Sequence, residues 1–100
     1  MILITASVLA TPATLDEMLR LSVEHVHRSR LEPGCIAHAV SQDVEQPLRL
    51  VFVEQWADQP ALEVHFSVPE SRFFAKALYK LSGQAPHMQV FEARSLPIAP

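Results

Sequence analysis

The sequence predicts one α+β domain, a single antiparallel sheet with helices on one face. Residues 2–9 and 48–56 sort into two faces at the strand period of two, whereas residues 15–31 and 69–82 repeat apolar side chains at helical spacing. The only two glycines, Gly34 and Gly83, both stand where an element should stop. At 100 residues the chain has the length of one compact domain.

In the first strand, Ile2, Ile4, Ala6 and Val8 share one face and Leu3, Thr5, Ser7 and Leu9 the other. Thr14-Leu-Asp-Glu17 has the form of a capping box, with Pro12 tolerated just ahead of it or in the first turn. Leu15, Met18, Leu19, Ser22, Val23 and Val26 then mark a helix to about Leu31. Pro33-Gly34 ends it, because proline disfavours a helical residue before it and glycine permits a left-handed cap. The second strand runs from Cys35 to about Gln42, and Asp43 to Pro47 form a polar turn. The third strand, Leu48–Trp56, puts Leu50, Phe52, Glu54 and Trp56 on one face and Arg49, Val51, Val53 and Gln55 on the other.

Asp58 reads as an N-cap, with Pro60 in the first turn of a short helix holding Leu62, His65 and Phe66. Pro69 starts a further helix whose apolar face is Phe73, Phe74, Ala77, Leu78 and Leu81, and Gly83 closes it. The last strand is about His87–Ser95. The order β-α-β-β-α-β, with the second helix split, specifies a ferredoxin-like sandwich. The domain spans residues 1–96, and residues 97–100 form a C-terminal tail.

Composition narrows the class. The chain is 49% hydrophobic and 19% charged, with a net charge of −3. That balance argues against a nucleic-acid binder and against disorder. A chain this short buries only about 60–68% of its unfolded surface, so part of the apolar excess needs a partner. Helices can cover one sheet face only, yet Val51 and Val53 lie on the face opposite Leu50, Phe52 and Trp56. A homodimer that packs two sheets face to face and encloses a cavity is the expected solution. The single cysteine, Cys35, excludes an intrachain disulfide framework. MILITASVLA has no basic residue before its apolar run and reads as a strand rather than a signal peptide. No apolar run reaches the ~20 residues of a membrane span. The expectation is a cytoplasmic protein with no membrane partner.

Three blocks, Ser29-Arg30-Leu31-Glu32-Pro33-Gly34-Cys35, Val53-Glu54-Gln55-Trp56 and Ala61-Leu62-Glu63-Val64-His65, resemble the antibiotic biosynthesis monooxygenase family of the dimeric α+β barrel superfamily. The resemblance covers about residues 1–96. It implies a dimer in which each sheet is half a barrel, and a cavity under the split helix. Relatives include cofactor-independent monooxygenases that oxidise anthrones or hydroquinones to quinones with O2. Others degrade haem or process sugar-like signals. The haem branch is disfavoured: strand 1 has no Asn, the only Trp is on strand 3, and residues 69–82 have no His.

The catalytic candidates are His65, Glu54 and His38. Three positions after Leu62, His65 should face the sheet, where a histidine can take a phenolic proton near neutral pH. The competing reading is a core histidine bonded to backbone or to Glu54. Glu54, between Phe52 and Trp56, either orients His65, binds substrate hydroxyls or forms a structural pair. His38 stands where relatives often carry Tyr and offers a second base or a hydrogen-bond donor. Trp56 and Phe52 are candidate walls for an aromatic substrate, or core. Thr5 and Ser7 are candidate hydroxyl donors to the same space, or polar residues facing water. His25 and His27 point roughly 200° apart on a helix, cannot chelate one metal, and read as surface or dimer-rim residues. No metal-ligand spacing and no dinucleotide loop is present. Arg72, Lys76 and Lys80 form a basic stripe that reads as a solvated helix face. Cys35 reads as a small buried hydrophobe.

The expected function is a monooxygenase that needs no cofactor, acting with O2 on a phenol, hydroquinone or anthrone. The alternatives are a non-catalytic small-molecule-binding or stress-response dimer, and an isomerase or lyase of a sugar-derived signal.

Overall fold

The computed structural model describes residues 1–99; Pro100, the end of the expected tail, lies outside the described residues. The elements are β1 (Ile2–Leu9), α1 (Leu15–Ser29), β2 (Cys35–Gln42), β3 (Arg49–Trp56), α2 (Gln59–Ser67), α3 (Pro69–Ser82) and β4 (His87–Glu92). The strands form one sheet in the order β2-β3-β1-β4, and every neighbouring pair is antiparallel. This is the ferredoxin-like α+β fold. The last strand ends at Glu92, three residues short of the expected end.

Local chemistry accounts for the split between α2 and α3. The Asp58 carboxylate accepts the Ala61 N–H at 2.9 Å, and Pro60 fits the first turn. Val68 then adopts an extended conformation (φ −64°, ψ 126°), as the residue before a proline prefers, and Pro69 opens α3. The capping box does not form at α1. Thr14 Oγ1 instead meets the Thr11 N–H at 3.0 Å, and Glu17 pairs with Arg20.

Gly34 decides where α2 lies. Its φ of +84° favours glycine, and a Cβ there would stand 2.5 Å from Ala61 Cβ. Its carbonyl also accepts the Ala57 N–H at 2.8 Å. The turn after α1 is thereby clamped against the first turn of α2, one turn before His65.

The register fixes the faces. Ile4 lies between Glu54 and Val90, Ala6 between Phe52 and Met88, and His38 opposite Glu54, all facing the helices. Two apolar clusters occupy that face: Val8, Ala10, Met18, Leu50, Phe52 and Leu78 in one, Ile2, Ile4, Trp56 and Leu62 in the other. Glu54 lies between Phe52 and Trp56, where the clusters meet. Among the described residues the opposite face carries no helix, and Val53 (41%), Phe91 (43%) and Ile36 (56%) are exposed there or at its edge.

Three expected placements change. Thr5 pairs with Val53 and Gln89, and Ser7 with Val51 and His87, so both stand on the outer face and cannot share a space with Glu54. The period of two separates them from it. Phe73 is 69% exposed, because Phe74 takes the inward place and adjacent helical residues diverge by about 100°. His25 is not a surface residue: it is buried beside Ser22 and Ser29.

Candidate functional site

A cluster of polar side chains is buried where the two apolar clusters meet. Glu54 is 5% exposed, His65 3% and His38 2%. Glu54 Oε1 accepts the Trp56 indole N–H at 2.9 Å. The same oxygen lies 3.3 Å from His38 Nε2, off the line of a hydrogen bond, and 3.9 Å from His65 Nε2. None of these contacts uses Oε2. Burial pushes the Glu54 carboxyl upward, but His38, the Trp56 N–H and His65 outweigh it and hold it below the usual carboxylate range.

Three further residues of this cluster, His25, Arg28 and Glu32, were not among the site candidates that the sequence offered. His65 Nδ1 meets Glu32 Oε1 at 2.9 Å, from the turn after α1. His25 stacks on Phe74 at 4.0 Å, nearly parallel, and its Nδ1 meets Arg28 Nη2 at 2.8 Å. Burial, then His38, His65 and Arg28, push His25 down to about 3 against the pull of Glu54, so it is neutral. Its signal was in the sequence: His25 is seven residues after Met18 and three after Ser22, on the buried stripe. Val23, which was assigned to that stripe, is 42% exposed. Glu32 lies inside the Ser29–Cys35 block of the family resemblance, but nothing in the sequence pairs it with His65.

Beside the cluster is a pocket of about 180 Å³ between the sheet and α1, α2 and α3. Phe52, Phe66, Phe74, Leu78 and Met88 supply most of its wall, and His25, Glu54, His65, Ser71 and Arg72 its polar atoms. Phe52 and Glu54 both line this pocket. Trp56 does not line the pocket; it is fully buried and packs against His65 at a ring distance of 4.5 Å. His38 stands behind Glu54, with both ring nitrogens buried and without a hydrogen bond. Arg72 alone of the basic stripe reaches the pocket. Cys35 is half-buried at the start of β2, and its thiol is pushed up by burial and by Glu32 and Glu54, away from nucleophilic use. This pocket lies within one chain, under the split helix.

By residue type, His25, His38 and His65 suit a metal ion, and one ring nitrogen from each lies within 4.8 Å of the others. Arginine only donates, so Arg28 makes His25 Nδ1 an acceptor and leaves the proton on Nε2. In that state His25 has no free lone pair, and a bound cation would have to displace Arg28.

Fold and site together define a small ferredoxin-like α+β protein with an aromatic pocket under a split helix, with His25, His65 and Glu54 in its wall. Among the described residues, no helix is long and apolar enough to cross a membrane. The chain belongs to the antibiotic biosynthesis monooxygenase family, whose model matches residues 1–77. A Deinococcus radiodurans structure, provisionally classed as an antibiotic biosynthesis monooxygenase, is 24% identical, covers 100% of both chains and superposes with a TM-score of 0.93. A conserved protein of Methanosarcina mazei is 22% identical over 93% of this chain and 92% of that one, with a TM-score of 0.87. These likenesses establish the fold. An uncharacterised Synechocystis protein is 25% identical over 91 residues, and the match covers 91% of this chain but 62% of that relative.

Proposed function

We propose that this protein is a cofactor-independent monooxygenase that oxidises a small single-ring phenol or hydroquinone with O2 to a quinone, and that it works as a homodimer. The observation that carries the reading is the placement of His65. One ring nitrogen is tied to Glu32, the other is 3.9 Å from Glu54, and the ring stands at the wall of an apolar pocket. A cavity of about 150 Å³ holds benzene. The pocket's 180 Å³ suits a single ring, and its largely apolar wall suits an aromatic better than a sugar.

In this reading His65 Nε2 takes the phenolic proton, and the imidazolium so formed lies between the Glu32 and Glu54 carboxylates. The phenolate passes one electron to O2. The ring radical and superoxide join through a new C–O bond at a ring carbon that bears hydrogen, and the peroxide takes the proton back from His65. Loss of that carbon's proton breaks the O–O bond, releases water and leaves the quinone. Phenol plus O2 gives quinone plus water, and the substrate supplies all the electrons. The protein contributes a base, a dry pocket and charge stabilisation.

The outer sheet face supports the dimer. Val53, Phe91 and Ile36 are exposed at or beside a row of half-buried Leu3, Thr5 and Ser7. Covering such a face with the same face of a second copy buries both. Family members are typically dimeric. Oxygen uptake with a hydroquinone panel, comparing the parent with His65→Ala, tests the reaction. The expected result is uptake above the spontaneous rate in the parent and loss in the variant. Uptake at the spontaneous rate across the panel overturns the reading.

A further inference from the structure

Two of the charged residues at this site never touch the pocket. Arg28 and Glu32, four positions apart across the end of α1, each hold the Nδ1 of a different histidine: His25 at 2.8 Å and His65 at 2.9 Å. Their chemistry is opposite. Arginine can only donate, so His25 Nδ1 accepts and its proton sits on Nε2. Ionised glutamate can only accept, so His65 Nδ1 donates and Nε2 of the neutral ring keeps its lone pair. Both rings line the same pocket, 5.3 Å apart between centroids.

We propose that Arg28 and Glu32 are positioning residues that lock His25 and His65 in opposite tautomers. The pocket then presents one N–H and one lone pair, a pair that selects a ligand oxygen able both to accept and to donate, the hydroxyl of a phenol. The inference deepens the proposed function, because it assigns the hydroxyl contacts of that reading. One ligand oxygen at about 2.85 Å from each of two nitrogens can bridge up to about 5.7 Å, and one ring nitrogen of His25 and one of His65 lie within 4.8 Å of each other. After His65 takes the proton, His25 Nε2–H remains as the donor to the phenolate, as a preorganised neutral imidazole can be.

Long-range proton–nitrogen correlation of 15N-histidine in the full chain at neutral pH reads the tautomers without any turnover. The expected result is a proton on Nε2 of His25 and on Nδ1 of His65. Arg28→Met should release the first assignment and leave the second; Glu32→Ala should do the reverse. Phenol and toluene, nearly equal in size, provide a test on the parent that needs no variant. An apolar pocket alone prefers toluene, because phenol gives up hydrogen bonds to water. The lock predicts phenol tighter by tenfold or more. The opposite tautomer at either histidine of the parent, or toluene binding as well as phenol, overturns the inference. The expected tautomers and phenol preference without oxygen uptake keep the inference and end the monooxygenase reading.

Discussion

Glu32 and His65 stand 33 positions apart in sequence and meet at 2.9 Å, carboxylate Oε1 to ring Nδ1. One belongs to the turn after α1 and the other to the last turn of α2. The contact exists because Gly34 lets the two segments approach. It makes the turn that ends one helix a support for a histidine on another.

Removing Glu32 should therefore weaken both stability and activity. Glu32→Ala leaves His65 Nδ1 buried without a partner, a loss worth about 1–3 kcal/mol. Urea titration of parent and variant measures it. Steady-state oxygen uptake with a phenol should fall by tenfold or more, and an unchanged rate in the folded variant would remove Glu32 from the site.

Gly34→Ala should be among the most damaging small substitutions. It forces a side chain to φ +84° and places its Cβ 2.5 Å from Ala61 Cβ. A cost of about 1–3 kcal/mol from backbone strain alone is expected, with the clash added. Adding Ala61→Gly should recover the clash but not the strain, so the double variant should unfold between parent and single variant.

Acid should destabilise the fold well above the carboxylate range. His25 is held down to about 3, against an ordinary histidine value near 6.5. The unfolded chain binds a proton below pH 6.5 that the folded chain refuses, so stability is intact above that pH. It is lost steadily as pH falls towards 3, by about 2 kcal/mol at pH 5. The Glu54 contribution has the same sign but a lower window, lost only as pH falls through its depressed value. Thermal melts from pH 8 to pH 5 should show the first effect. His25→Gln, which keeps an acceptor for Arg28 but does not titrate, should flatten it.

Val53→Lys should separate a dimer built on the outer face. Val53 sits mid-strand on β3, 41% exposed, opposite Thr5 and Ala39. Sedimentation at micromolar concentration should give a dimer for the parent and a monomer for the variant. A monomeric parent would remove the proposed interface.

The residues show why some of this was legible in advance. Pro60, Pro69, Gly34 and Gly83 act through their own backbones and Asp58 through a carboxylate that caps three residues on, so α2, α3 and their break followed from sequence. Period two placed Phe52, Glu54 and Trp56 on one face, and helical spacing turned His65 inward. Period two also set Thr5 and Ser7 on the face opposite Ile4, which keeps them out of the space that Glu54 shares. Phase errors of one residue hid His25 and exposed Phe73, since one helical step turns a side chain by about 100°.

Sequence by itself determined the element order, the inward face of β3 and the blocks that carry the family resemblance, because these depend on periodicity and on residues that bias their own φ and ψ. Only the tertiary structure decided which histidines share a pocket, that Trp56 backs the site rather than lining it, and that Arg28 and Glu32 each meet the Nδ1 of a different histidine. Those outcomes depend on side-chain distances between segments up to 33 residues apart, set by packing that no local pattern encodes.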